Sequence, residues 1–451
     1  MDAPFALNRK HGLAPLLGWT GVPFTLGVIQ MQCGSAMLFF IHESICAAPP
    51  RWKKVAFMSL NQKYIGLGNQ PNAIRELFAY GQARKAQIGE DKVFDFSIGN
   101  PSVPAPQKVA DTIVELLKEP ADVLHGYSQS PGQMGVRQAV AGNIKRRFGI
   151  DAQAKYVYMT HGAAAGLAIA INAVALPGEE VITVAPYFCE YKVWTEHAGA
   201  TLVEVPARAS DFQIDVPAME AAINQNTAAI IINSPNNPVG SIYSRENLQE
   251  FTDMLRRKEQ ELGRQLFLIS DEPYREITYG DEVPYVPCMY QDTLVCYSYS
   301  KSLSLPGERI GYIYVSDTME NADEVFYAVC GSARDQGYIC ASVLWQRVVE
   351  QCVDEPSDVE AYRANRELLT DIMDELGYEY IQPQGAFYLW IKALEDDDVA
   401  FCNKAKEHEL LLVPSSCFRS KGYARVSYCV SADVIRGAKQ AFADLKAEYS
   451  A

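Results

Sequence analysis

The sequence predicts an α/β protein in which a large, doubly wound domain with a mostly parallel sheet is joined to a smaller α+β domain. Two observations predict this fold. Between residues 155 and 315, short apolar runs rich in β-branched residues alternate with segments whose apolar residues recur at helical spacing, as in successive βαβ units. Beyond residue 316, helical segments dominate until strand-like runs at 385–390 and 424–428, which predict the second unit.

The predicted elements follow from the chain in order. A helix is expected over residues 70–80, because Pro71 is accepted in a first helical turn, and a short strand from Val93 ends in the turn at 99–101. A further helix over 136–148 precedes the alternating region. The strands predicted in that region span 155–160, 180–185, 201–205, 228–233, 266–270, 293–297 and 310–315, with helices at 162–171, 219–224 and 245–262.

Charge and cysteine content narrow the functional classes. The 451-residue chain carries a formal net charge of −15, and no basic block offsets it, which argues against a nucleic-acid partner. Its 11 cysteines stand singly, without C-x-x-C pairs or histidine partners at zinc spacing. We therefore expect no metal site, reduced thiols and a cytoplasmic location.

Residues 1–57 differ in character from the rest of the chain. The run from Leu13 to Phe40 is apolar and dotted with glycines, and basic residues flank it on both sides. One interpretation is a membrane anchor or signal sequence. Glutamines, Pro15 and Pro23 divide the run into pieces shorter than the ~20 residues that a membrane span needs. We favour the second interpretation, an unstructured leader with Met58 as the natural start, and expect no membrane association.

Residues suited to catalysis or ligand binding lie at the carboxyl ends of the predicted strands. In an open α/β sheet this edge is where ligands bind. The coincidence predicts one shared pocket, and the residues that share this position are Gly162, Phe188, Asn237, Asp271, Ser298 and Lys301.

The stretch 298–309 is the centre of this prediction. Lys301 follows a buried strand among small hydroxyl residues, and Arg309 lies eight positions later. An amine can form a Schiff base with an aldehyde, while Arg309 and Ser298 can hold a phosphate. Taken alone, the stretch is equally compatible with an exposed loop that carries a lysine and an arginine.

The other strand ends each allow a functional and a structural interpretation. Small residues from Gly162 open a helix, where free N–H groups favour phosphate but small side chains also permit close packing. Phe188 suits stacking on a flat ring or a place in the core. Asn237 suits a ligand oxygen or a self-stabilised turn. Asp271, with Tyr274 three residues later, suits either a helix cap or a carboxylate that keeps a pyridine nitrogen protonated, as pyridoxal phosphate requires.

Together these motifs resemble the class I/II aminotransferases, the aspartate aminotransferase-like enzymes of pyridoxal-phosphate fold type I. The shared motifs, in family order, are Asn-x-Pro-Asn-Asn-Pro-x-Gly, Asp-x-x-Tyr, and Ser-x-Ser-Lys followed by arginine eight residues on. The resemblance covers the chain from Met58. It implies an arm with part of the small domain at 58–105, a large cofactor-binding domain at 106–340 and a small domain at 341–451.

The resemblance also implies a role for each matching residue. Lys301 forms the Schiff base, Asp271 pairs with the pyridine nitrogen, and Phe188 stacks on the ring. Asn237 and Tyr274 bond the ring 3′-oxygen. The residues implied to hold the phosphate are Gly162, Ala163, Ala164, Ser298, Arg309 and, from a neighbouring subunit, Tyr127. A homodimer with shared sites follows from this last role.

Arg425 resembles the family arginine that binds the substrate carboxylate, and the backbone at Gly99-Asn100 is implied to assist it. An arginine on a strand of an apolar segment needs an anionic partner, which is either this carboxylate or a structural salt bridge.

The implied activity is transfer of an amino group from an L-amino acid to a 2-oxo acid such as 2-oxoglutarate. Arg334, supplied by a partner subunit, would suit an aspartate side chain, whereas Tyr64, Ile65 and Tyr338 would suit an aromatic one. A C–S β-lyase on the same scaffold is an alternative. A non-enzymatic regulatory domain is another, although residues 1–57 show no helix-turn-helix pattern and the chain is acidic.

Overall fold

The computed structural model describes residues 60–69 and 73–450. The chain divides into two units, residues 1–70 and 71–451. In the first, helix α1 (Gln62–Asn69) is described; the leader predicted at 1–57 lies outside the described residues. None of the helices in the described ranges is long and apolar enough to span a membrane.

The second unit contains the remaining elements, numbered in chain order. Its helices are α2 (Ala73–Ile88), α3 (Gln107–Leu116), α4 (Ala121–Leu124), α5 (Met134–Phe148), α6 (Gly162–Val174), α7 (Glu190–His197), α8 (Val216–Ala222), α9 (Arg245–Leu262), α10 (Tyr299–Ser302), α11 (Ala322–Asp335), α12 (Val343–Cys352), α13 (Val359–Leu376), α14 (Asp398–Glu407) and α15 (Ala432–Glu448). Its strands are β1 (Phe94–Asp95), β2 (Val157–Thr160), β3 (Glu180–Ala185), β4 (Thr201–Pro206), β5 (Thr227–Asn233), β6 (Phe267–Asp271), β7 (Thr293–Ser298), β8 (Gly311–Val315), β9 (Tyr380–Ile381), β10 (Tyr388–Lys392), β11 (Leu410–Leu411), β12 (Val413–Pro414) and β13 (Tyr423–Ser427).

A seven-stranded sheet in the order β2-β8-β7-β6-β5-β3-β4 forms the centre of this unit. Neighbouring strands are parallel except at β8, which runs antiparallel to both β2 and β7. Helices cover both faces, so strand β5 is buried along its whole length and reads as an apolar run. Ile231 packs into the core on the α6 face and Ile230 into the core on the α9 face. The predicted α/β fold with a mostly parallel sheet is confirmed.

A smaller antiparallel sheet, in the order β12-β13-β10-β9, accompanies it. Helices α13 and α15 pack beside this sheet around a separate apolar core that includes Phe387, Leu389 and Val426. Strand β1 pairs with β11, and Ser427 N–H donates to Phe96 O at 3.0 Å, so the segment after β1 lies along the end of β13. The domain limits at residues 105 and 340 remain predictions.

The strands predicted over 155–160 and 310–315 begin later than expected for identifiable reasons. The strand predicted over 155–160 starts at Val157, because residues 154–156 form a 3₁₀ turn. The strand predicted over 310–315 starts at Gly311, because Arg309 has a φ of 53° and a left-handed residue cannot continue a strand. This conformation brings the Arg309 side chain beside Ser300.

Candidate active site

A cavity of about 280 Å³ lies at the carboxyl ends of the parallel strands. Most of the residues that the sequence analysis singled out line this cavity. They are Gly99, Ala163, Ala164, Phe188, Asn237, Asp271, Tyr274, Ser298, Lys301, Arg309 and Arg425. The shared pocket expected at the strand ends is therefore present, and Gly162 lies next to it against Arg309.

Lys301 enters the cavity from α10, the short helix that directly follows β7. Its Nζ donates a hydrogen bond to Gly99 O at 2.6 Å. Burial lowers the pKa of the amine to about 8; Cys429 opposes this shift, and the positive charges of Arg309 and Arg425 add to it. About a tenth of the amine is therefore unprotonated at pH 7, far more than for an ordinary lysine, and the unprotonated form is the one that acts as a nucleophile or a base.

Asp271 is the last residue of β6 and is 5% exposed. Its Oδ2 accepts a hydrogen bond of 2.5 Å from Tyr191 Oη. Its Oδ1 is buried and has no partner within the described part of the chain. Burial raises the pKa of the carboxyl group to about 7, although the Tyr191 hydrogen bond lowers it. A buried carboxylate oxygen without a donor can bind a ligand N–H, and a pyridinium nitrogen fits this requirement.

Another part of the cavity wall is rich in hydrogen-bond donors. Helix α6 begins there, and its first N–H groups and positive dipole end favour an anion. Arg309 Nη1 donates to Ser300 Oγ at 3.3 Å and to Pro306 O at 2.9 Å. Among the described residues no carboxylate forms an ion pair with this guanidinium, so its charge is available to a phosphate.

Glycine is required at position 162 for two reasons. Its φ is +81°, in the left-handed region that side chains disfavour. A Cβ atom there would also lie 2.6 Å from Arg309 Nη2. The close approach of the helix backbone to the guanidinium therefore depends on this glycine.

Arg425 projects from β13 of the small sheet and is 3% exposed. Its Nη1 donates to Asn237 Oδ1 at 2.9 Å and its Nη2 to Ser97 O at 2.6 Å. Its Nε is buried without a partner in residues 73–450. The structural salt bridge considered for this residue is absent from the described residues, so the buried charge has room for an anionic ligand.

The asparagine turn combines the two interpretations offered for it. Asn233 Oδ1 accepts from the Asn237 backbone N–H at 2.7 Å, which stabilises the turn, and Asn233 Nδ2 donates to Asp271 O at 2.9 Å. The Asn237 side chain nevertheless lines the cavity. Tyr274 Oη lies 2.8 Å from Tyr388 Oη. Phe188 is only partly buried and meets the Tyr191 ring edge-on, at a centroid distance of 6.1 Å.

Several candidates do not line the cavity. Tyr127 is fully exposed on the loop before α5, and Arg334 is exposed near the end of α11. Tyr338 is 39% exposed, and its ring lies 5.8 Å from the His161 ring. Tyr64 and Ile65 are exposed residues of α1, in the first unit, and their part in a substrate pocket stays a prediction.

Among the residues with hydrogen-bonding side chains that line the cavity or support it, sequence reasoning missed Tyr191, Asn233, Ser300 and Tyr388. Ser300 lies inside the Ser-x-Ser-Lys motif, and Asn233 ends a buried strand, so both had a signal. Tyr191 and Tyr388 had none, because each is an aromatic residue inside an element whose pattern indicates only packing.

Comparison with known proteins agrees with this geometry. Residues 91–442 match the family described as aminotransferase class I and II. The chain is 30% identical to the aspartate aminotransferase of Thermotoga maritima over 350 residues, covering 76% of this chain and 88% of the relative. It is 28% identical to aromatic-amino-acid aminotransferase 2 of Thermococcus litoralis, covering 80% of this chain and 92% of the relative.

Solved structures give the same result. An amino transferase from Eubacterium rectale superposes with a TM-score of 0.86 at 48% identity, covering 87% of this chain and 100% of the other. The aspartate aminotransferase of Thermus thermophilus with maleate gives a TM-score of 0.76 at 26% identity, covering 86% and 99%. These relatives do not favour the β-lyase or the regulatory-domain alternative. The chain belongs to the class I and II aminotransferases, pyridoxal-phosphate-dependent transferases of fold type I.

Proposed function

We propose that this aminotransferase takes an amino group from L-aspartate or an aromatic L-amino acid and passes it to a 2-oxo acid such as 2-oxoglutarate. One observation carries the proposal. An amine of lowered pKa, Lys301, and a buried carboxylate with an unpartnered oxygen, Asp271, line the same cavity. This pair suits a ligand that has an aldehyde at one position and a pyridine nitrogen at another, as pyridoxal phosphate has.

The residues present fit this cofactor. Lys301 would bind its aldehyde carbon, and Asp271 would accept from its ring N–H. Arg309, Ser298 and the first turn of α6 would hold its phosphate, while Phe188 would lie against the ring. When bound, pyridoxal phosphate supplies an electron sink for the bond that breaks at the substrate Cα.

Lys301 is proposed to move the proton in each half-reaction. With cofactor and substrate in the cavity, its Nζ would take the proton from the substrate Cα and would later release it again. The lowered pKa of this amine makes it a base at neutral pH. Gly99 O, which accepts from Nζ at 2.6 Å, limits where the amine can point.

Arg425 and Asn237 are proposed to orient the substrate. The unpaired Nε and the planar guanidinium suit the α-carboxylate of an amino acid. Because Asn237 Oδ1 accepts from Arg425 Nη1, the carboxylate site and the site proposed for the 3′-oxygen share one side chain. A substrate carboxylate bound by Arg425 would therefore affect Asn237, which also belongs to the proposed cofactor pocket.

The preference for aspartate or an aromatic amino acid follows the relatives that carry these names. We further propose a homodimer in which Tyr127 and Arg334 of each chain act in the partner's site. Tyr127 is fully exposed, Arg334 is exposed, and neither lines the cavity of its own chain, which supports this role. A cytoplasmic location is part of the same proposal, since none of the described cysteines is disulfide-bonded.

The proposal is tested by adding amino acids one at a time to the protein loaded with pyridoxal phosphate. Each true donor should convert the absorption of the bound cofactor to that of the pyridoxamine form. Aspartate and phenylalanine are the first two to compare. Release of pyruvate and ammonia from cystathionine without any 2-oxo acid would instead identify a β-lyase, and absence of conversion by every amino acid would refute the proposal.

A further inference from the structure

Tyr388 contacts two residues for which the family resemblance implies separate roles, Tyr274 at the cofactor's 3′-oxygen and Arg425 at the substrate carboxylate. Its Oη lies 2.8 Å from Tyr274 Oη, and its ring lies 4.6 Å from the guanidinium carbon of Arg425. The side chain is 2% exposed and lines the cavity. One tyrosine therefore contacts both the proposed carboxylate-binding residue and the proposed 3′-oxygen donor.

The backbone of the site is built around the Tyr388 hydroxyl. A Cβ atom at Gly99 would lie 2.1 Å from Tyr388 Oη, so any side chain at position 99 would displace the hydroxyl. The carbonyl of the same glycine accepts the hydrogen bond from Lys301 Nζ. The glycine thus leaves room for the hydroxyl and holds the amine at the same time.

The position of Arg425 favours Tyr388 as the donor, because the guanidinium lies over the Tyr388 ring. A cation over the face of a phenol ring stabilises negative charge on its oxygen and strengthens its O–H as a hydrogen-bond donor. Burial raises the pKa of Tyr388 to about 12 and also raises the pKa of Tyr274, and Arg425 opposes the effect of burial on both phenols. Tyr388 is therefore suited to donate to the Tyr274 oxygen, which leaves the Tyr274 O–H free to donate elsewhere.

We propose that Tyr388 is a positioning residue: its hydroxyl donates to Tyr274 and directs the Tyr274 O–H toward the cofactor's 3′-oxygen. This inference rests on the proposed function, because it needs the cofactor in the cavity. A hydrogen bond received by Tyr274 strengthens the bond it donates, and this stabilises negative charge on the 3′-oxygen. The Tyr388 ring alone, which packs against Phe387 and Tyr274, does not provide this effect.

The test is a pH titration of the visible absorption of the bound cofactor in wild type, Tyr388→Phe, Tyr274→Phe and the double variant. Phenylalanine keeps the ring and removes only the hydroxyl. We expect Tyr388→Phe to raise the titration midpoint by several tenths of a unit to about one unit, because less negative charge is stabilised on the 3′-oxygen. In the Tyr274→Phe background the second substitution should have no further effect, since Tyr388 acts through Tyr274.

Two further variants separate positioning from packing. Tyr378→Phe removes a buried hydroxyl that bonds Phe442 O at 2.9 Å, outside the cavity, and should leave the midpoint unchanged. Gly99→Ala should shift the midpoint in the same direction as Tyr388→Phe. An unchanged midpoint in Tyr388→Phe, or equal shifts in both backgrounds, would overturn the inference alone. A wild-type protein that gains no visible band with pyridoxal phosphate would overturn the proposed function and this inference with it.

Discussion

Tyr191 Oη donates a 2.5 Å hydrogen bond to Asp271 Oδ2, while Asp271 Oδ1 lies buried without a partner within residues 73–450. The carboxyl group is thus held from one side and left open on the other. Tyr191 is itself fully buried among the aromatic residues of α7 and the loop before it. The tyrosine therefore fixes which carboxylate oxygen faces the cavity.

Replacing Tyr191 with phenylalanine should weaken cofactor binding. The hydrogen bond to a charged acceptor contributes about 1.5 kcal/mol, so the Kd for pyridoxal phosphate should rise roughly tenfold. Its loss also removes an effect that lowers the pKa of Asp271, so the carboxyl group should protonate at higher pH. Fluorescence titration of the apoenzyme across pH 5–9 measures both effects, with binding weakening as the pH falls through the Asp271 pKa. Tyr290→Phe, which removes a buried hydroxyl bonded to Leu266 O, is the control.

The rate at which the apoenzyme takes up pyridoxal phosphate should rise with pH, with a midpoint near pH 8, and level off about one pH unit higher. Only the unprotonated amine attacks an aldehyde, and burial places the pKa of Lys301 at about 8. Stopped-flow absorption at a series of pH values gives the midpoint. A midpoint near 10.5, the ordinary value for lysine, would contradict the effect of burial on this amine.

Replacing Lys301 with alanine should abolish transamination, because the chain loses both the group that binds the aldehyde and the base. Lys392→Ala is a matched control, since this lysine is exposed at the end of β10 and pairs only with Glu379 in the described structure. Turnover with the best amino donor measures the effect, and circular dichroism checks the fold. Near-native turnover in Lys301→Ala would rule out the role proposed for this lysine.

Replacing Arg425 with lysine should raise KM for the amino acid far more than it lowers kcat. A lysine keeps the charge but loses the planar fork and the contact with Asn237, a loss of about 2–3 kcal/mol or roughly 30- to 150-fold in affinity. Arg436→Lys, on the exposed face of α15, is the control. Steady-state kinetics with the best donor decide the matter, and an unchanged KM would exclude Arg425 as the carboxylate-binding residue.

Replacing Gly162 with alanine should cost both stability and cofactor affinity. The left-handed backbone alone costs about 1 kcal/mol of unfolding free energy, and the new Cβ atom would press on Arg309. Gly149→Ala is the matched control, because this residue has a φ of +75° and nothing within 4 Å of its Cβ position. Urea unfolding should show a loss in both variants, whereas only Gly162→Ala should bind pyridoxal phosphate more weakly. Equal cofactor affinity in both variants would contradict a role for the Gly162 turn in phosphate binding.

The sequence predicts those site residues that lie at or just after the carboxyl ends of strands. Lys301 and Asp271 are polar residues that follow long apolar runs, and such a change is visible in the sequence. Tyr388 and Tyr191 show no such change from apolar to polar residues, and tyrosines inside apolar elements usually pack in the core. Their roles could therefore not be predicted from the sequence. The left-handed φ of Arg309 could not be predicted either, because residues other than glycine rarely adopt this conformation and arginine is not a residue type that indicates it. The roles of Tyr127 and Arg334 depend on a second chain and remain predictions.

The antiparallel direction of β8 determines at which end of the sheet the positively charged Arg309 lies. Because β8 runs against β7, Gly311 at its beginning pairs with Ser298 at the end of β7, and Arg309 lies just beyond. Had β8 run parallel, its first residue would lie at the opposite end of the strands, about 13 Å away, because four steps of about 3.3 Å separate the two ends of a five-residue strand. Because β8 is antiparallel, the Arg309 guanidinium lies at the same end of the sheet as the Lys301 amine and the Asp271 carboxylate, which follow or end parallel strands.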